Sequence, residues 1–190
     1  MAVQSFSEIL VQSVTDGPVL TAAARASCIP IADRIVLPSR YFYAGKRWGI
    51  KMAGRISSLI TTPGTARFDV ALGAAGTTIV FDSLAILLDS VAAHTNVRWG
   101  LELEFVTRTV GNGVVTTHFP AVARFYSEDI LGVPAGAPKG VVVALLPWNT
   151  APAVGAGHDN LALNILDVFF TQTVATGSMT VHDYCVGAFN

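Results

Sequence analysis

Leu101-Glu102-Leu103-Glu104-Phe105-Val106-Thr107-Arg108-Thr109, with Gly111-Asn112-Gly113 close behind, is the stretch that decides the fold. Leu101, Leu103 and Phe105 fall on one side of an extended chain, and Glu102, Glu104 and Arg108 on the other. A period of two over this length marks a half-buried strand. The Gly-Asn-Gly that follows reads as a tight hairpin turn, because these residues accept positive φ. The same alternation recurs in Arg67–Leu72, with Phe68, Val70 and Leu72 opposite Arg67 and Asp69. Further strand candidates are Trp48–Ile60, Thr77–Phe81, Val114–Tyr126, Val141–Leu146, Leu161–Thr173 and Ser178–Val186. Turn residues separate them at Thr62-Pro63-Gly64, Gly73–Gly76 and Ala175–Gly177. Gly132–Gly140 and Thr150–His158 read as long loops, and only Asp82–Ala93 offers a helical alternative. Many short strands with turns at regular spacing predict an all-β, jelly-roll-like antiparallel β-sandwich.

Upstream the pattern changes. Met1–Leu20 is of mixed polarity and broken by Asp16-Gly17-Pro18, Thr21–Ala26 is small and Ala-rich, and Pro30 and Pro38 bracket Ile31–Leu37. Residues 1–33 are therefore expected to form an extended N-terminal arm that gains structure by lying on a neighbour. Residues 34–190 are expected to form the sandwich domain.

Charged residues make up only 13% of the chain and hydrophobic ones 52%, whereas a typical soluble domain is about 25% charged. So few charges leave a lone domain poorly covered, which points to a membrane or to partner proteins. A spanning helix needs about 20 consecutive apolar residues, and the longest apolar candidates, Val141–Trp148 and Leu84–Leu88, are far shorter. Met1–Leu10 carries Gln, Ser and Glu instead of a basic and then apolar leader. The expectation is a soluble chain, not secreted by the usual route, whose surface is covered by other subunits. A net charge of −1 gives no general nucleic-acid footprint.

The residues of chemistry are scattered. Cys28 and Cys185 lie near opposite ends and form no CxxC or Cys/His metal spacing, so buried free thiols are expected. His94, His118, His158 and His182 form no HExxH or HxH pair, and His158-Asp159-Asn160 reads as a turn before Leu161. Glu102 and Glu104 share one strand face, whereas a glycosidase pair faces across a cleft about 5–9.5 Å wide. Glu128-Asp129 is an acidic loop pair that offers a cation partial ligation at most. Gly45-Lys46 lacks the rest of a phosphate-binding loop, and neither GxSxG nor GxGxxG occurs. The reading is of no catalytic residues, no cofactor and no metal.

Two clusters point to contacts. Arg34, Arg40, Lys46, Arg47, Lys51, Arg55 and Arg67 follow one another with no acid between them, which is either a solvated strand face or a basic face for an acidic lattice. Tyr41, Phe42, Tyr43 and Trp48 surround Lys46 and Arg47. Such a group either stacks on sugars or bases or packs at a subunit contact, where aromatics and Arg concentrate. Tyr41, Tyr43, Arg47 and Trp48 are the candidate partner contacts.

Tyr41-Phe42-Tyr43-Ala44-Gly45-Lys46, Ala53-Gly54-Arg55-Ile56-Ser57, Thr62-Pro63-Gly64-Thr65, Arg67-Phe68 and the strand Phe68–Gly73 occur in an order that continues through Thr95–Leu103 and Arg108–Gly111. It runs on through Asn164–Asp167, Phe169–Thr173 and Ser178–Val186. Over approximately Ile35–Asn190 this ordered set resembles the jelly-roll virion proteins of tailed bacteriophages, namely capsid decoration or cement proteins and related tail or fibre components. The stretch Glu128–Asn160 departs from the simplest form of that pattern. The resemblance implies a structural role without enzymatic activity. The expected function is that of a cement protein, a homotrimer seated on the major capsid protein at the head exterior and assembled in the host cytoplasm. The alternative is a tail or fibre module that binds a host-surface glycan or receptor.

Overall fold

The computed structural model describes residues 7–73, 76–111, 121–130, 142–147 and 158–189. Two antiparallel sheets face each other, and the chain winds between them. One sheet holds β1 (Ser7–Gln12), β12 (Ser178–Phe189), β4 (Arg47–Ser58), β8 (His94–Val106), β9 (Ala121–Ser127) and β10 (Val142–Leu146), in that order. The other runs β2 (Arg25–Ser27), β11 (Asn164–Gln172), β5 (Thr65–Leu72) and β6 (Thr78–Asp82). β3 (Ile35–Leu37) joins this sheet on β11, and β7 (Ile86–Leu87) joins it on β5.

The pairing is nested. The first strands meet the last ones, β1 on β12 and β2 on β11. Inside them lie β4 on β12 and β5 on β11, then β4 on β8 and β5 on β6. That winding makes a jelly roll, with β9 and β10 appended as an antiparallel pair beside β8.

The alternating stretches sit as their pattern dictates. Trp48, Ile50, Met52 and Ile56 of β4 and Trp99, Leu101, Leu103 and Phe105 of β8 point into the core. They meet Phe68 and Val70 of β5 and Val168 and Phe170 of β11 from the opposite sheet, all buried. Phe68 is the hub, with ring centroids of Trp99, Phe125 and Phe170 at 5.3, 5.1 and 5.2 Å. Burying aromatic surface of this kind stabilises by about 25 cal/mol per Å² removed from water.

The expected arm is not free. From Ser7 onward it is woven into both sheets: Ser13 and Gly17 donate backbone hydrogen bonds to Tyr184 and Val181, and Leu20 exchanges a pair with Met179. Cys28 and Ile29 are core residues at 0% and 1% exposure. The physical reason is the nested winding, in which β11 and β12 need outer partners and the N-terminal segment supplies them. The stretch Asp82–Ala93 is not helical. Leu84 adopts φ 58°, its N–H bonds the Asp82 carboxylate at 2.9 Å, and Ser83 exchanges hydrogen bonds with Phe68, so the chain turns and re-enters the sheet as β7. Most of the Gly111-Asn112-Gly113 turn and of the Gly132–Gly140 and Thr150–His158 loops lies outside the described residues, as do residues 114–120 of an expected strand and His118.

Candidate interaction surfaces

The loop between β3 and β4 carries most of the aromatic cluster, and Asn160 holds it in place. The Asn160 side chain accepts from the Phe42 N–H at 3.2 Å and donates to the Phe42 carbonyl at 2.9 Å, while its own carbonyl accepts from Arg40 N–H. Arg40 sits at φ 62°, so this loop is held in a left-handed turn by contacts from the segment preceding β11. Asn160 is buried, and removing its amide leaves both Phe42 backbone groups without that partner. Asn160→Ala is expected to cost about 1–3 kcal/mol through the loss of two buried side-chain hydrogen bonds. Urea unfolding at constant m-value will measure it.

Within the cluster the four candidate contacts divide. Tyr43 (48% exposed) and Arg47 face solvent. Tyr41 is half-buried, with the Lys46 ammonium 3.6 Å from its ring centroid; the same ammonium lies 5.3 Å from the Tyr43 centroid. Burial, aided by the charge of Glu8 and by Tyr43, pushes the Tyr41 hydroxyl up to about 12. Burial lowers the Lys46 pKa, with Glu8 opposing. Trp48 is a correction: at 2% exposure it is a core residue, stacked on Phe105 with centroids 3.9 Å apart and planes within 3°. It begins the inward row of β4, so a residue that follows Arg47 in sequence points the opposite way.

The basic run is dispersed by the fold. Arg34 pairs with Asp167 at 3.0 Å, and Arg67 Nε donates to Asp82 at 2.8 Å. Arg47, Lys51 and Arg55 alone share one outward face, that of β4. Across the sheet Lys51, Glu102, Arg124 and Leu145 stand in one cross-strand row. Glu102 thus lies between two cations, a surface charge row of modest worth. Glu104, two residues on, stands between Gly49 and Val122.

The remaining polar groups are structural in placement. Glu128 is exposed, whereas Asp129 is fully buried, accepts from the Ser58 hydroxyl at 2.6 Å, and has its carboxyl pKa raised by burial. The two side chains therefore do not converge on a cation. No group of three His, Cys, Asp or Glu side chains is arranged to hold a metal among the described residues. His94 pairs with Asp89 at 3.0 Å and His182 with Asp16 at 2.8 Å. His158 is buried edge-on to Phe42, and burial lowers its pKa. Cys28 is a buried free thiol and Cys185 a half-buried one.

Two surfaces were not visible in the sequence. One is the outer face of β9 and β10, where Val122, Val143 and Leu145 are 61%, 56% and 68% exposed. Among the described residues β10 ends its sheet, so this apolar strip borders an edge strand. The other is a groove of about 520 Å³ on the outer face of the second sheet, lined by Arg25, Ser27, Arg34, Val36, Asp167 and Phe169 among others. It opens where β2 and β3 part company along β11, because β2 pairs residues 169–171 and β3 pairs residues 164–166.

No family model matches the chain, and no curated protein matches it significantly. Among solved structures it is similar to the CBM2 module of the evolved Dit of Lactobacillus casei BL23 phage J-1. The identity is 10% and the TM-score 0.39, over 99% of this chain and 98% of that one. At that TM-score the likeness is too loose to bear on function.

Proposed function

We propose that the chain is a non-enzymatic structural protein of a tailed-phage virion, a capsid decoration protein that assembles as a homotrimer and seats on the major capsid protein at the head exterior. The observation that carries this reading is the aliphatic strip of Val122, Val143 and Leu145 beside the edge of β10, which has no second strand partner among the described residues. Exposed edge strands normally carry charges or bulges, and the outward side chains of this one, Val143 and Leu145, are instead suited to burial. In a closed ring the strip of each subunit is covered by the next. A stable contact of this kind needs about 800 Å² from each partner. Tyr43 and Arg47, both exposed, remain contact residues in this reading; Trp48 does not.

Leu145→Glu is expected to shift sedimentation from oligomer to monomer without loss of folding, since the side chain is already exposed in the single chain. A wild-type chain that sediments as a monomer at high concentration overturns the self-association. Averaged cryo-electron images of particles carrying a small tag on this protein test the location. Density repeating over the head supports decoration, and density confined to the tail replaces it with the second reading, a tail or fibre module that binds a glycan. The groove beside Arg34 is the feature that favours that second reading.

A further inference from the structure

We infer that the groove between β2, β3 and β11 is a binding site for a carboxylate-bearing sugar, such as a uronic acid within an acidic glycan. This inference rests on the second reading above and leaves the assembly reading independent of it.

The groove's lining sets Arg25 and Arg34 against Asp167 alone, a net charge of +1, and these charges are not evenly placed. Its one lining carboxylate, Asp167, lies at the bottom at 4% exposure, and Asp69, which pairs with Arg25 outside the lining, is buried at 1%. Its guanidinium groups lie on top, with the side chains of Arg34 and Arg25 33% and 35% exposed. A ligand approaching from solvent therefore meets the cationic ends first. Arg25 is already committed. It grips Asp69 through two nitrogens, with Nε to Oδ2 at 2.9 Å, and stacks its guanidinium 3.5 Å from the Phe169 ring centroid.

Arg34 is different. Its Nε stands 3.0 Å from Asp167 Oδ2, but no hydrogen bond of proper geometry forms, and Nε has no other partner. Asp167 takes its hydrogen bond from the Ser27 hydroxyl instead, at 2.6 Å. Arg34 is thus oriented by a buried carboxylate while its Nη groups stay uncommitted among the described residues. A planar fork in that state suits a carboxylate, which it can bind bidentately.

The walls favour a sugar ring over a bare ion. Ile31 and Val36, 79% and 56% exposed, and Ile165 offer apolar contact to the CH face of a ring. The Ser27 hydroxyl and the Gly73 and Gly76 backbone border the same space. Phe169 is not a free stacking platform, because Arg25 covers its face and Gly76, at φ 60°, packs where a Cβ would come within 2.5 Å of the ring. A neutral sugar that depends on an open aromatic face is accordingly disfavoured.

The test is chemical-shift titration of the full chain with a glucuronate-containing disaccharide, its neutral glucose counterpart and inorganic phosphate. Saturable shifts at Ile31, Arg34 and Val36 with the uronate, and weaker ones with the other two, are the expected result. Arg34→Ala should weaken uronate binding about ten- to a hundredfold, the range of a charge-assisted hydrogen bond. Because Arg34→Ala also bares Asp167, Ile31→Glu serves as the second variant, adding a repelling carboxylate at an exposed rim position away from the ion pairs. Loss of uronate binding in folded Ile31→Glu supports the site. No shift with the uronate, equal shifts with the neutral sugar, binding of phosphate alone, or undiminished affinity in either variant overturns it. Sedimentation of the same samples reads the assembly separately.

Discussion

Trp48→Ala is expected to lower folding stability by about 3–5 kcal/mol, the cost of emptying a large aromatic site in a core. The indole lies flat on Phe105 and tilted against Phe42 at 5.7 Å, so three rings share one packed volume at the end of the β4–β8 ladder. Neither neighbour can collapse freely into the gap. Phe105 is fixed by its strand between Trp48 and Phe81, and the Phe42 backbone is held by Asn160. Guanidinium unfolding will show the loss as a lower midpoint with unchanged slope. A role at a subunit contact predicts the reverse: an intact monomer with weakened assembly. A cost under about 1 kcal/mol, in the range of ordinary surface substitutions, would exclude the core placement.

Strands with one buried and one solvated face were legible because their period of two is imposed by that environment. Met52 and Ile56 against Lys51 and Arg55, or Leu101 and Leu103 against Glu102 and Glu104, leave little choice of structure. β8 nevertheless starts at His94, seven residues before its clean alternation. Thr95, Asn96 and Arg98 are all exposed, and Asn96 takes φ 53°, so only the half-buried Val97 marks the inward side before Trp99. Trp48 was misread because its sequence neighbours Lys46 and Arg47 suggested a surface; continuing the alternation of Ile50 and Met52 back by one step places it inside. β2 and β3 are three residues each, too short to show any period. The groove had no signal at all. Arg25, Arg34 and Asp167 are brought together by the pairing of the chain's first strands with its penultimate one, a long-range event that local pattern does not encode.

Deleting residues 1–30 is expected to abolish cooperative folding, the opposite of what a dispensable arm predicts. The deletion removes β1 and β2, and with them the outer strand partner of β12 and one of the two outer strand partners of β11. It also removes Arg25, whose guanidinium neutralises Asp69. The pair is only half-buried, with the Arg25 side chain 35% exposed, so its loss costs less than the about 3–5 kcal/mol of a fully buried pair. Cys28 and Ile29 leave the core in the same step, and truncating a buried aliphatic side chain alone costs about 2–5 kcal/mol. Against a total stability of about 5–15 kcal/mol for a domain, these losses together leave little or nothing. Near-ultraviolet circular dichroism and amide exchange on the truncated chain decide the matter. A sharp unfolding transition there would mean that the sandwich stands without its first strands and that they are available to a neighbour.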